Sequence, residues 1–198
     1  MTVLAELAAL GEPVLAVADP ARRLLAVACA DKYGVAAKLG LFETGDRPRL
    51  LRRTTCGHHI NTLAFHPSSP LLAVGLGNYD GGYFFEGQLL LVGLDNNAKR
   101  SMFAESLGRQ VIAAEWLDGT RLRLQVAPHD DDNDDAAHHE AHVVVLDHPD
   151  WTRALGRSIP DKRLRGPRIP FPRPVHDPSD ARQLATRLLN PPLHRHNR

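Results

Sequence analysis

Apolar and polar residues follow one another in short runs along most of this chain, and these runs have the length of β-strands. Helical periodicity is weak, because Pro, Gly and Asp interrupt nearly every window long enough to show it. The clearest pattern lies between Gly57 and Asp95. It predicts a strand, a turn with two prolines at Pro67 and Pro70, a second apolar strand, a glycine- and aromatic-rich loop at 78–87, and a third strand.

This pattern recurs with a period of about fifty residues. VLAVADPARRLLAV at 14–27 aligns without a gap to NTLAFHPSSPLLAV at 61–74. A glycine opens each of three units, at Gly11, Gly57 and Gly108. The chain therefore contains three repeat units, whose bounds are about 11–56, 57–107 and 108–155.

Each unit contains about four predicted strands. The second strand of each unit is the most continuously apolar, which is typical of a strand buried on both faces. Residues 2–10 have helical propensity, but the repeat calls for a strand there, and we expect a strand. The predicted strands are 14–18, 24–29, 38–43 and 50–55; 60–66, 71–75, 88–94 and 99–105; and 111–117, 121–126, 142–147 and, weakly, 151–155.

The second unit resembles a bacterial WD40 repeat. Gly57-His58 stands where that family has its Gly-His pair, residues 63–75 match the core of the repeat, and Leu94-Asp95 stands in place of Trp-Asp. Asp147 takes this position in the third unit, and Phe42-Glu43 in the first. The resemblance implies an all-β fold, a partial β-propeller of about three four-stranded WD40-like blades in residues 1–155, followed by a basic Pro-rich C-terminal tail.

The family pattern is incomplete in two respects. Long loops replace the turn that carries the Asp of the blade-stiffening His, Ser/Thr, Asp and Trp set. Closed propellers also have at least four blades, and three blades leave sheet edges open. The chain is then a diverged or truncated copy, or a homodimer or blade-sharing assembly completes the ring. We expect assembly.

Charge divides the 198 residues into two parts. Residues 1–155 carry 14 Lys/Arg and 20 Asp/Glu, whereas residues 156–198 carry 10 and 3. The tail predicts polyproline II at 167–174, a short helix capped near Asp177, and a disordered end. Its arginines suit an acidic surface, an aromatic groove or phosphates, while the acidic body argues against nucleic acid as the main partner.

Cys29 and Cys56 are the only cysteines, and they lie far apart without CxxC spacing. Cys29 sits in an apolar strand, which indicates a buried free thiol rather than a disulfide. The N-terminal region lacks the features of a signal peptide, and no apolar run of about 18 residues is present. These features predict a cytoplasmic protein that does not span a membrane.

Aromatic side chains are concentrated in the loops that would share one propeller face. Tyr33 lies in one such loop, and the loop 78–87 carries several more. Exposed aromatics on a rigid platform are typical anchors of protein interfaces, although Phe84 and Phe85 have the alternative of folding back over the blade edge. The predicted partner-binding residues are Tyr33, Tyr79, Asp80, Tyr83, Phe84 and Phe85.

The loop 129–142 is rich in Asp and His and suggests metal binding. Calcium-loop geometry fails, because Asp135 replaces the required glycine and Ala141 the required glutamate. A solvated acidic loop is the favoured interpretation, and no cofactor is predicted. The weak metal-ligand candidates are Asp130, Asp132, His138 and His142.

No nucleophile elbow, phosphate-binding loop, dinucleotide fingerprint or HExxH motif is present, so nothing in the sequence indicates an enzyme. The sequence predicts a non-catalytic scaffold that presents aromatic and acidic loops to a protein partner. The alternative is a metal-binding or metal-dependent protein that uses the loop 129–142.

Overall fold

The computed structural model describes residues 2–30, 37–82, 84–96, 98–105, 108–130, 135–171 and 177–190. The chain divides into two compact units, the first formed by residues 1–57 and 176–198 and the second by residues 58–175. Strands dominate the described part of the chain and form three antiparallel sheets, which confirms the predicted all-β class.

The first unit contains a sheet whose four strands are neighbours in chain order. Every residue from Leu25 to Cys29 on the second strand has no exposed surface, as predicted for a strand covered on both faces. The strands are β1 (Glu12–Asp19), β2 (Leu24–Ala30), β3 (Ala37–Glu43) and β4 (Arg49–Cys56).

Two helices, α1 (Val3–Ala8) and α2 (Pro178–Leu189), cover one face of this sheet. The predicted strand at 2–10 is wrong. The Thr2 hydroxyl caps α1 by accepting a hydrogen bond from the Ala5 N–H at 3.3 Å, and Leu, Ala and Glu favour a helix there. The predicted helix after Asp177 is confirmed, and the Asp177 carboxylate accepts from the Ser179 N–H at 2.8 Å.

The second unit contains the other two sheets, which bury a common apolar core between them. The first of these sheets comprises β5 (Ile60–Phe65), β6 (Leu71–Tyr79), β7 (Phe85–Gly93) and β8 (Lys99–Ser101), with β9 (Gly108–Arg109) paired to β7. The other comprises β10 (Val111–Trp116), β11 (Arg121–Val126), β12 (Glu140–Asp147) and β13 (Arg168–Pro170). Three short 3-10 helices cover Asp135–His138, Trp151–Arg153 and Asp161–Leu164.

One strand prediction and one polyproline II prediction in the second unit are wrong. Residues 151–155 begin with a 3-10 helix instead of a strand, because the Asp150 side chain accepts from the Thr152 N–H and starts a turn. Arg168–Pro170, predicted as polyproline II, supplies the fourth strand of its sheet by pairing with β12. This edge position tolerates a proline, which has no N–H to donate to a further strand.

Residues that the sequence analysis placed in the tail belong to the core of the second unit. Ile159 and Leu164 are buried in the same apolar cluster as strands β6, β7, β11 and β12. The strand β11 differs from β2 and β6: its residues alternate between exposed and buried, so only one of its faces is covered. Neither of the two helices in the described residues is long and apolar enough to cross a membrane.

Candidate functional site

The predicted aromatic loop is mostly a β-hairpin. Strands β6 and β7 remain paired as far as Tyr79 opposite Phe85, so the predicted loop bounds of 78–87 are wrong. The Asp80 carboxylate organises the tight turn between them by accepting from the N–H groups of Gly82 at 2.7 Å and Phe84 at 3.1 Å. Asp80 therefore stabilises the turn, because its Oδ1 accepts hydrogen bonds from within the hairpin rather than from a partner.

The side chains of this hairpin divide between surface and core. Phe84 is 41% exposed, as expected for a contact residue. Phe85 is only 4% exposed and packs with Tyr79, so the prediction that Phe85 is an exposed anchor is wrong. Its side chain points to the opposite side of the strand from that of Phe84, as neighbours in a strand do. Tyr33 and Tyr83 lie outside the described residues.

The hairpin lies against the start of the acidic loop, at His129 and Asp130. Phe84 and Asp130 form an isolated antiparallel bridge, and the Phe85 N–H donates to the His129 carbonyl at 3.2 Å. The His129 ring meets the Phe84 ring edge to face, with centroids 5.4 Å apart. The structure thus brings together two of the three loops predicted to share a face. Of the third, residues 31–36 lie outside the described chain.

A cavity of about 300 Å³ lies beside this surface. One of its lining residues is Arg109, whose side chain is 4% exposed. The Arg109 Nε donates to Asp161 Oδ1 at 2.6 Å, and its Nη2 donates to Asp161 Oδ2 at 3.0 Å. The lining residues are Glu105, Gly108, Arg109, His129, Asp130, Asp161, Leu164 and Arg165.

Two glycines place Arg109 at this position. A Cβ atom on Gly87 would lie 2.2 Å from the Leu76 carbonyl oxygen, and one on Gly108 would lie 2.5 Å from the Gly87 carbonyl oxygen. Only glycine permits this approach of backbones, which pairs β9 with β7. Arg109 is then carried into the interior of the second unit on a strand of two residues.

The two members of this ion pair differ in how completely their hydrogen-bonding groups have partners. Asp161 also accepts from Arg165, and the two oxygens of its carboxylate are both occupied. Burial would raise the pKa of Asp161, but hydrogen bonds to Arg109 and Arg165 and their positive charges outweigh burial, so its pKa lies below the ordinary value. Arg109 Nη1 is buried and has no partner among the described residues. A buried charged donor without an acceptor lowers the free energy of unfolding by on the order of 1–3 kcal/mol or more.

The metal-ligand candidates do not converge in the described residues. His138 packs against the rings of Tyr79 and Phe85, with centroids 4.9 and 5.3 Å away. His142 lies on β12, where its Nδ1 is 2.8 Å from the Gly166 carbonyl oxygen. Within the described part of the chain, no group of three or more His, Cys, Asp or Glu is arranged to hold a metal ion. Asp132 lies outside that part.

Sequence reasoning did not identify Glu105, Arg109 or Asp161. Arg109 and Asp161 are 52 residues apart, and Asp161 falls within the predicted tail. The only local signal was Gly108, which the repeat marked as the start of a unit but which gave no indication of a buried arginine. No protein-family model matches this chain, and no curated protein matches it either.

Proposed function

We propose that this chain is a non-catalytic WD40-like interaction module that binds a protein partner through the surface formed by Phe84, His129 and Asp130. The observation that carries the proposal is the exposure of Phe84 on a turn held by Asp80. A large aromatic side chain that loses little conformational freedom on binding is a typical interface anchor.

The proposal of three propeller blades rests on the agreement between repeats and sheets. Each of the three repeat units supplies consecutive strands that pair in chain order within one antiparallel sheet, which is the connectivity of a propeller blade. The exception is β9, which lies at the start of the third unit but pairs with β7 of the second sheet. The third sheet takes its fourth strand, β13, from residues beyond the predicted bound of 155.

A cytoplasmic location remains part of this proposal. Cys29 and Cys56 are both buried. Burial, followed by the nearby charge of Glu12, raises the pKa of the Cys29 thiol to about 12, which keeps it protonated and unreactive. Thiols of this kind suit a reducing compartment.

Substitution of Phe84 tests the proposed surface. Immobilised wild-type chain would be exposed to a cell lysate, and each protein that it retains would be purified and titrated by calorimetry against both the wild type and a Phe84→Ala variant. Loss of an interface anchor weakens binding about tenfold or more. Leu155→Ala is the matched control, because Leu155 is 76% exposed and lies away from the hairpin in sequence. Equal affinity of the wild type and the Phe84 variant for every retained protein contradicts the proposal.

A further inference from the structure

Strand β4 forms a long edge of the first sheet. It is the last strand of that sheet and runs for eight residues, and within the described residues no further strand pairs with it. Alternate residues of such a strand direct their N–H and C=O groups away from the sheet. An edge of this kind is a template on which another extended chain can pair.

The other strands that end a sheet in the described chain are short, contain a proline or lie against a neighbour. Strands β8, β9 and β13 have three residues or fewer, and β13 ends in Pro170. Strand β1 contains Pro13 and packs against α2. Strands β5 and β10 lie beside each other, and the Thr62 hydroxyl accepts from the Ala114 N–H at 3.2 Å. Proteins commonly block sheet edges by these means, so β4 is the exception.

One face of β4 combines two arginines with a leucine. Arg49, Leu51 and Arg53 occupy alternate positions and are all exposed, Leu51 by 41%. On the opposite face, Leu50 packs against the apolar core beneath α1 and α2. Side chains of an added strand lie opposite those of the strand with which it pairs. The partner segment should therefore present a carboxylate, an apolar residue and a second carboxylate at every other position.

The sequence of β4 adds positive charge beyond these two arginines. The strand also contains Arg52, and it has no acidic residue. Glu43, on the neighbouring strand, pairs with Arg49 Nε at 2.6 Å, and both side chains are accessible to solvent. An exposed pair of this kind contributes little free energy, so Arg49 can exchange Glu43 for a carboxylate of a partner. Guanidinium groups bind carboxylates through two parallel hydrogen bonds, which favours Asp or Glu in that partner.

The same charges act against pairing of β4 with β4 of a second copy. In an antiparallel pair centred on Leu51, Arg49 of each copy would lie opposite Arg53 of the other, and like charges in this arrangement are destabilising. Nucleic acid is also disfavoured, because residues 1–155 carry an excess of acidic side chains. An acidic segment of a different protein avoids both penalties.

We propose that β4 binds an extended acidic segment of a partner protein by strand addition. The main chain of this segment extends the first sheet. Asp or Glu side chains at its positions i and i+4 pair with the two exposed arginines, Arg49 and Arg53, and an apolar residue at i+2 packs on Leu51. This surface goes beyond the proposed function, because it lies on the first unit and does not involve Phe84.

Titration of the ¹⁵N-labelled full chain with acetyl-Thr-Glu-Thr-Val-Thr-Glu-Thr-amide, observed by NMR, tests the proposal. The amide signals of residues 49–55 should shift saturably, with a Kd of about 1 mM or lower. At saturation, hydrogen exchange should slow at alternate amides of β4, because only every other N–H faces the added strand. Acetyl-Thr-Glu-Thr-Val-Glu-Thr-Thr-amide has the same composition but places its glutamates on opposite faces, and it should bind about fivefold more weakly or worse.

N-methylation of the peptide tests the main-chain pairing separately, because it removes one backbone donor. Neighbouring residues of a strand direct their N–H groups to opposite sides. One peptide would be methylated at the valine and another at the threonine that follows it. One of these changes should abolish binding, and the other should leave it nearly unchanged.

Two arginine variants separate this edge from general charge. Arg53→Gln removes one proposed partner of the peptide carboxylates and should weaken binding about fivefold or more. Arg123→Gln makes the same change on β11, a central strand, where Arg123 also pairs with a glutamate, Glu115. This control should leave binding unchanged, and so should Phe84→Ala.

The inference is overturned by the absence of saturable shifts, by equal losses in the Arg53 and Arg123 variants, or by tighter binding of a ten-residue oligothymidine. Equal binding of the two glutamate peptides, or equal effects of the two methylations, would mean that the arginines attract carboxylates without strand pairing, and would overturn it as well. Acidic-peptide binding in the absence of any Phe84-dependent partner supports this inference while the proposed function fails. A Phe84-dependent partner without acidic-peptide binding has the opposite meaning.

Discussion

The imidazole of His66 joins two turns of the second unit through the carbonyl of Gly119, which lies 3.0 Å from Nε2. The other ring nitrogen, Nδ1, faces the N–H groups of Ser68 at 3.2 Å and Ser69 at 2.8 Å. Because Nδ1 accepts from these donors, Nε2 carries the proton and donates to Gly119. The 1% exposed ring thus connects the turn after β5 to the turn after β10.

His66→Ala should lower the free energy of unfolding by about 2–4 kcal/mol, because it leaves a void beside Trp116 and removes the acceptor of two N–H groups. Urea unfolding followed by tryptophan fluorescence measures this, since both tryptophans, Trp116 and Trp151, lie in contact near His66. His59→Ala, at an exposed position, is the control and should change stability by less than about 0.5 kcal/mol. Equal stability of the His66 variant and the wild type would refute the linking role.

The Arg109–Asp161 pair should make stability depend on pH. Asp161→Asn leaves a buried guanidinium without its counter-charge and should cost about 3 kcal/mol at pH 7. The pKa of Asp161 is depressed in the folded state, so its contribution is fully present above the unfolded-state value of about 3.9 and is lost as the pH falls through the folded-state pKa.

Urea unfolding of wild type and Asp161→Asn at several pH values measures this linkage. The difference in unfolding free energy should shrink below about pH 4. Glu115→Gln, which breaks an exposed ion pair with Arg123, is the control and should cost less than about 1 kcal/mol at any pH. A difference between wild type and Asp161→Asn that stays constant from neutral to acid pH would contradict the depressed pKa.

Asp80 should control the rigidity of the hairpin that carries Phe84. Asp80→Ala removes the acceptor for the N–H groups of Gly82 and Phe84, and hydrogen exchange at these two amides should accelerate. Asp80→Asn retains an oxygen at this position and should restore most of the protection. If the amides of Gly82 and Phe84 exchange equally fast in Asp80→Ala and Asp80→Asn, the side-chain oxygen of Asp80 does not hold the turn.

Zinc should not bind stoichiometrically through His138 and His142. Within the described residues, His138 contacts aromatic rings and His142 contacts the Gly166 carbonyl, so their nitrogens do not share a site. Calorimetric titration of the full chain with zinc should show only weak binding to the acidic loop. Tight binding with one ion per chain, abolished by His138→Ala and His142→Ala, would favour the metal-dependent alternative.

The solution mass tests the predicted completion of a ring by a second copy. Three propeller blades would leave sheet edges unpaired, and a second copy of the chain would supply the blades that a closed ring needs. We therefore expect light scattering to give a mass above that of one chain, 21.8 kDa. A monomer of 21.8 kDa that unfolds cooperatively would contradict the predicted assembly.

The sequence by itself determined the features that depend on neighbouring residues. Alternation of apolar and polar positions located most of the strands, to within a few residues at each end. A capping carboxylate, Asp177, located α2. Where local propensity and the repeat disagreed, at residues 2–10, local propensity prevailed, because Thr2 caps a helix that the repeat cannot anticipate.

Only the tertiary structure decided the contacts between distant residues. Arg168–Pro170 becomes a strand because β12 offers an unpaired edge, and Phe85 is buried because Tyr79 and His138 converge on it. The partners Arg109 and Asp161 are separated by 52 residues. The close approach of β7 and β9 at Gly87 and Gly108, which positions Arg109, exists only once the sheet has formed. Such contacts have no local signature, because their energy depends on which surfaces the folded strands bring together.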